Sequence, residues 1–532
     1  MKAFSYAIGL LLLVFSASAH IGSPNVYFEG SAGPYPIRVV IRPPGVVPGL
    51  AEINVRVLHG HASQVTVFPV FWDAGKEGSP PPDLAKPNPG DTNLYSATLW
   101  LMKPGAYTVN VTVQGNDGRG AAIVPVNSVA TTRNAMPAWF GAMLVGLGLV
   151  LFAGAVTLTG AAFGQSTWNP GIEPSRRRRW LARIATVAGA IFFGALLLLG
   201  RVWWNFVDRD YRNNRLYQPV QVSASVRSEN EQPILNLTVV EETRHWAPLI
   251  PDHGKLMHLF LVREPQLDVF AHLHPVQKNP RTFDAALPPL PAGEYDIYAD
   301  VTHETGFSET LLTKVQLPAI PKRFEQLARP LKEADPICSP TGWLGGSTNL
   351  FFVPDRDDSW RISGKDAAIS AAVASALDDS LTMVWEKPAS DSPEAHLDFK
   401  LVLANGEPAP LELYLGMFGH AAVRHRDGTV FAHLHPGGTF SMGSQMLFSK
   451  GANNRSRWHA STNEAMSGAT AMMQHEAFPV GAGPQSVSFP YEFPKPGAYR
   501  LWVQMKSGGK VYTGVFDTVS NLGESPRVTA NK

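Results

Sequence analysis

Apolar and polar residues alternate singly along most of this chain, a period of two that predicts strands with one face buried. Ile37-Arg38-Val39-Val40-Ile41 and Ile53-Asn54-Val55-Arg56-Val57 flank a Pro- and Gly-rich turn, and similar runs follow at Val65–Phe71, Tyr95–Met102, Tyr107–Val113 and Ala121–Val126. Nothing in this part has helical spacing. Two segments break the alternation. Ala138–Gly164 carries no charge and is long enough to cross about 30 Å of hydrocarbon. Ile184–Gly200 is shorter, but Val202, Trp203 and Trp204 extend it with residues suited to a membrane interface. Ala367–Ala376 reads as a short helix.

Three segments place a glycine just before a tyrosine that starts an alternating run: Pro104-Gly105-Ala106-Tyr107, Ala292-Gly293-Glu294-Tyr295 and Pro496-Gly497-Ala498-Tyr499. A tyrosine there suits the corner of an immunoglobulin-like sandwich. The expected fold is therefore mainly β: three immunoglobulin-like antiparallel β-sandwich domains plus a two-helix transmembrane hairpin. The first sandwich spans 20–129 and the helices 138–164 and 184–206, joined by an Arg-rich loop at 165–183. The second sandwich spans 218–321, a connector with a short helix 322–380, and the third sandwich 381–520. An insertion at 441–484 is rich in Met and His.

Residues 1–19 read as a secretory signal peptide, with Lys2, an apolar stretch and Ala17-Ser18-Ala19 before the cut. The loop between the apolar segments carries Arg176, Arg177, Arg178, Arg179 and Arg183 against Glu173, which holds it on the cytoplasmic side. Both signals put the sandwiches on the periplasmic side of a bacterial inner membrane. Over the whole chain 45 Lys and Arg nearly cancel 44 Asp and Glu, so nothing points to a nucleic-acid partner. A single cysteine, Cys338, excludes an intramolecular disulfide framework and a thiolate metal site.

The candidate chemistry is histidine. Phe-Ala-His-Leu-His-Pro occurs at Phe270–Pro275 and again at Phe431–Pro436, each behind a further histidine, His258 and His420. In the second copy Asp427-Gly428 predicts a two-residue type I′ turn, which sets His420 opposite His435 and Ala422 opposite His433. His420, His433 and His435 then share one face, about 4.5–8 Å apart, close enough to converge on one ion. His258, His272 and His274 repeat the pattern with one more turn residue, which a bulge would absorb. Asp300 is a candidate fourth ligand in the second sandwich, where the third has Gln504. Signal cleavage would leave His20 as an N-terminal chelator, with His59 or His61 as its partner. The methionines of the insertion suit Cu(I). Against all this stands the plain alternative that these are structural strand histidines.

The segments Gly33-Pro34-Tyr35-Pro36-Ile37-Arg38-Val39 and Leu101-Met102-Lys103-Pro104-Gly105-Ala106-Tyr107 resemble the YtkA-like and CopC-like bacterial β-sandwiches. That resemblance covers the N-terminal domain and implies an exported, copper-handling protein, with His20 matching a Cu(II)-binding histidine. The His-x-His pairs also resemble the first cupin motif, but Lys278 and Thr439 stand where that motif has glutamate. The expected function is copper binding (zinc as the alternative) for storage, delivery or sensing by an integral membrane protein. The alternatives are a metal-free scaffold for an envelope protein partner, and a metalloenzyme using a three-histidine site.

Overall fold

The computed structural model describes residues 25–133, 136–165, 174–229, 232–240, 246–319, 337–338, 355–363, 373–378, 380–386, 396–449 and 484–520. The signal peptide, His20, residues 367–372 of the expected helix and most of the Met/His insertion lie outside them. The chain forms two compact units: 45–47 with 129–218, and the rest. It is mainly β, built of antiparallel sheets, with two long apolar helices.

The smaller unit holds α1 (Ala138–Gln165) and α2 (Arg176–Asp210). Both are long and apolar enough to cross a membrane. Small residues bring them together: a Cβ on Gly160 would stand 2.2 Å from Thr186 Oγ1. The arginines expected in a loop are helical. Ser175 caps α2 by accepting from Arg178 N at 3.3 Å, and Arg, Leu and Ala all favour helix.

In the larger unit the N-terminal strands, from Val26–Ala32 to Gly118–Ser128, form one eight-stranded sheet. Their alternate residues, such as Ile37, Val39, Ile41, Val55, Val67 and Val111, bury a shared core. Sequence-distant Phe440 joins that core. Beside it Glu29 N donates to Gly437 O at 2.8 Å and Thr439 N to Tyr27 O at 3.0 Å. Gly438 has φ +132° and would put a Cβ 1.8 Å from Tyr27 O, so the contact needs glycine. The loop after the second His-x-His pair is thereby tied to the first strand.

Two repeats follow. In the first, a four-stranded sheet (Val222–Glu229, Gln232–Val239, Val276–Asn279, Thr282–Ala286) packs on a larger one containing His258–Arg263, Val269–Leu273 and Gly293–His303. In the second, Ala374–Ala376, Leu381–Glu386, His396–Leu403 and Val487–Pro490 pack on Phe431–Leu434, His420–His425, Gly497–Ser507 and Lys510–Ser520. The expected connector is partly sheet. Ser359–Ile362 extends the first repeat beyond residue 321, pairing with Val269–His272. Ala374–Ala376, expected as the end of a helix, is a strand paired with Leu381–Glu386 and begins the second repeat before residue 381. Residues 374–376 have their backbone groups matched by that neighbour, and this outweighs alanine's helix preference.

At each glycine–tyrosine segment the hydroxyl meets the backbone four residues upstream. Tyr295 donates to Pro291 O at 2.7 Å, Tyr499 to Lys495 O at 2.8 Å, and Tyr107 accepts from Lys103 N at 3.0 Å.

The two repeats pack face to face, so their histidine hairpins are covered on both sides. Leu259 and Leu261 point into their own repeat's core, while Phe260 and Val262 meet Ala422, Phe431 and Trp502 of the other repeat. The contact is reciprocal. Phe270 stacks on Trp502 with centroids 4.9 Å apart, and Phe431, its counterpart in the repeat, stacks on Tyr298 at 4.0 Å. Such offset pairs add about 0.5–1.5 kcal/mol each beyond burial.

Candidate metal centre

The registers of both hairpins match the expected ones. Ala421 pairs with Leu434 and Ala422 with His433, so His420 and His435 stand one step further along. Leu259 pairs with Leu273 and Phe260 with His272, which puts His258 beside His274. The extra residue of the first hairpin is absorbed in the turn itself, where Leu267 has φ +55°, and the ladder is undisturbed. The expected type I′ turn is not formed. Gly428 alone has positive φ (+75°), because Asp427 Oδ1 accepts from Thr429 N at 2.9 Å and holds a different turn with the same register.

The face-to-face packing brings the two histidine sets into one cluster. His258 and His433 lie 5.3 Å apart between ring centroids, His272 and His433 5.6 Å, and His272 and His420 6.3 Å. A seventh member, His253, was not anticipated; its ring is 4.5 Å from His435 and 5.5 Å from His420. It precedes His258 by five residues, as Leu415 precedes His420. Only one copy of the repeat has a histidine there, so a search for repeated histidines passes over it.

Two triplets have ring nitrogens within 4.8 Å of one another: His258, His272 and His274, and His253, His420 and His435. The first is the expected set. In the second, His253 takes the place expected of His433. His433 Nδ1 instead faces Asp300 Oδ2 at 3.3 Å. Asp300, expected as a ligand beside His258, thus serves the other repeat, and its second oxygen accepts from Thr310 at 2.6 Å. The exchange is mutual: Gln504 occupies the place equivalent to Asp300 and meets His272 Nδ1 at 2.9 Å. His274 Nδ1 is held at 3.0 Å by Asp358 Oδ1, which also accepts from His274 N. A carboxylate or amide on Nδ1 fixes the ring and turns Nε2 inward, the usual support of a metal-ligating imidazole.

These rings are buried: His272 and His420 have no exposed surface, and His258, His274 and His435 at most 5 %. Burial is the main cause that lowers the pKa of every member, His258 to about 4, with neighbouring histidines lowering most of them further. At neutral pH the rings are uncharged and each has a free lone pair. Burial raises Asp300 above the usual carboxylate range, against the opposing Thr310 hydrogen bond.

Among the described residues, five buried ring nitrogens of this cluster have no hydrogen-bond partner within the chain: His253 Nε2, His274 Nε2, His433 Nε2 and both nitrogens of His420; the His435 ring meets the Phe440 backbone. Proton counting adds a further constraint. His258 Nε2 lies 3.1 Å from Asp252 O, His258 Nδ1 3.1 Å from His272 Nε2, and His272 Nδ1 2.9 Å from Gln504 Oε1. Two neutral rings have one proton each for three contacts, and both ends of the chain accept. With Gln504 Oε1 turned toward His272, the pair in the middle is left as two facing lone pairs. Nitrogens bound to one tetrahedral zinc at about 2.0–2.1 Å stand roughly 3.3 Å apart. The donor set fits a transition metal.

The remaining candidates are dispersed. His59 and His61 are exposed on a turn of the N-terminal sheet. Met442 and Met446 lie in α3 (Met442–Ser449), where Met446 is buried as a hydrophobic contact. His20, Met466, Met472, Met473, His459 and His475 lie outside the described residues.

A protein-family profile described as a domain of unknown function (DUF8832) matches residues 218–316 and 374–521. The match takes in both repeats and all seven clustered histidines. No curated protein matches the chain. One solved structure that aligns, titled as a structural insight into host cell surface retention of a 1.5-MDa bacterial ice-binding adhesin, is 6 % identical and covers 90 % of this chain and 92 % of its own. Its TM-score of 0.14 gives it no bearing on this chain.

Proposed function

We propose that this chain is a membrane-anchored, extracytoplasmic protein that holds a transition metal, copper ahead of zinc, in a buried histidine centre between two repeated sheets. It stores, delivers or senses that metal without turning over a substrate. The observation that carries this reading is the set of buried imidazole nitrogens with no partner in the chain. A buried unsatisfied group costs about 1–3 kcal/mol. Several in one place form an expensive arrangement for a purely structural core, and an ion relieves part of the cost by taking the lone pair of each ring it binds.

Imidazole suits copper and zinc alike, and at equal geometry Cu(II) binds the more tightly. The YtkA-like and CopC-like resemblance of the N-terminal domain favours copper. Burial argues against turnover: the side chains of His433 and His253 are at most 6 % exposed, whereas a catalytic ion needs a position open to water and substrate. The tyrosine corners support immunoglobulin-like sandwiches. The charge-free α1, the arginines at the start of α2 and the leader-like first residues support a hairpin in a bacterial inner membrane, with the β domains periplasmic. A delivery role calls for a partner in the envelope.

Thermal unfolding of the chelator-treated chain, alone and with Cu(II) or Zn(II), tests this reading. Metal binding raises the midpoint, by mass action on the folded state. An unchanged midpoint with both ions supports a metal-free scaffold instead.

A further inference from the structure

The geometry points to one two-ion centre shared between the repeats, rather than two separate sites each belonging to its own repeat. This rests on the metal reading above. The ion of the second repeat is held by His420 and His435 together with His253 from the first repeat, and His433 lies between the two ions.

Four observations carry this. His253 joins His420 and His435 in a triplet of ring nitrogens within 4.8 Å, which His433 does not. The two triplets adjoin, with His253 6.1 Å from His258 and His272 6.3 Å from His420 between centroids. His433 touches both groups, its ring 5.3 Å from His258 and 4.4 Å from His435, with Nδ1 held by Asp300 and Nε2 unpartnered. Nε2 is thus the one donor left over between the triplets, suited to complete the four-coordination of either ion.

The fourth observation is the turn that carries His253. Asp252–Lys255 and Tyr414–Met417 are equivalent closed turns, each with reciprocal backbone hydrogen bonds. His253 and Leu415 occupy the same place with φ of +50° and +52°. The left-handed conformation therefore belongs to the repeat and is not induced by histidine. The first repeat differs in placing an imidazole there, and that imidazole reaches the other repeat's pair. An ion bound so ties the Asp252–Lys255 turn to the second repeat's hairpin.

The repeat itself supplies the test variant. His253→Leu gives the first repeat the side chain that the second already carries at that φ, so folding is preserved. The full chain in detergent is loaded with Cu(II), desalted, and measured for bound copper and by electron paramagnetic resonance. The unmodified chain retains two ions with a spin-coupled signal. His253→Leu retains one, with the signal of an isolated Cu(II). His433→Ala retains two ions, bound more weakly. The proposal is overturned if His253→Leu keeps both ions, if His433→Ala loses one as a repeat-autonomous site requires, or if the unmodified chain binds a single ion. Retention of no copper at all by the unmodified chain refutes the metal reading itself.

Discussion

Lowering the pH of the metal-free chain should unfold it steeply between about 6.5 and 4, because the buried rings are held neutral. Burial sets His258 at about 4 in the folded chain, against 6.5 for the exposed ring. A base depressed in this way binds fewer protons folded than unfolded. Its stability contribution is complete above the unfolded value and is lost as pH falls toward the folded one. At pH 5 an unfolded histidine is almost fully protonated and His258 about one-tenth so. Unfolding therefore takes up about 0.9 proton at this residue, a slope of roughly 1.2 kcal/mol per pH unit and about 2 kcal/mol lost relative to pH 7. Six other rings are shifted the same way, so the whole slope exceeds that of His258 alone severalfold. Trp360 and Trp502, each 1 % exposed, report unfolding by fluorescence in a urea titration of the chelated protein at pH 7, 6 and 5. His258→Leu should flatten the profile by its own share. An unfolding free energy that does not change between pH 7 and 5 refutes the buried neutral cluster.

Other substitutions separate support of the rings from bulk packing. Asp358→Ala frees His274 Nδ1 and should weaken metal binding about 10–100-fold in a competition titration, leaving the ion count unchanged. Turning the Gln504 amide over would let it donate to His272 Nδ1 and satisfy the ring chain without an ion. Gln504→Glu removes that option and should retain metal, as the carboxylate of Asp300 at the equivalent place shows the fold tolerates an acid; a chain that binds no metal and is strongly destabilised by this substitution in urea unfolding favours the metal-free network. Trp502→Ala deletes the stack on Phe270 and should cost about 3–5 kcal/mol in urea unfolding while touching no ligand.

The hairpins were legible because register follows from alternation and turn length, and both are written locally. His420 opposite His435 follows from counting outward from Asp427-Gly428, even though Asp427 forms a different turn from the one expected. The convergence of the two sets was not legible. It depends on Phe260, Phe270, Phe431 and Trp502 burying the outer faces of both sheets, and only the near-continuous apolar character of Leu259–Val262 and Val269–Ala271 hinted that no face was left for water. The partners of Asp300 and Gln504 were hidden for the same reason. The strand registers set them beside His258 and His420, and packing of the repeats sends their side chains across to His433 and His272. Ala374–Ala376 misled because a short alanine-rich run has a helical preference that a neighbouring strand overrides.

The buried histidine centre is probed most directly by X-ray absorption at the metal edge of the full chain, loaded with copper or zinc and desalted. A histidine-bound ion gives retained metal with a shell of nitrogen neighbours near about 2.0 Å and the outer-shell scattering of several imidazole rings. A desalted protein without metal, or metal surrounded by oxygen and lacking imidazole scattering, contradicts that centre.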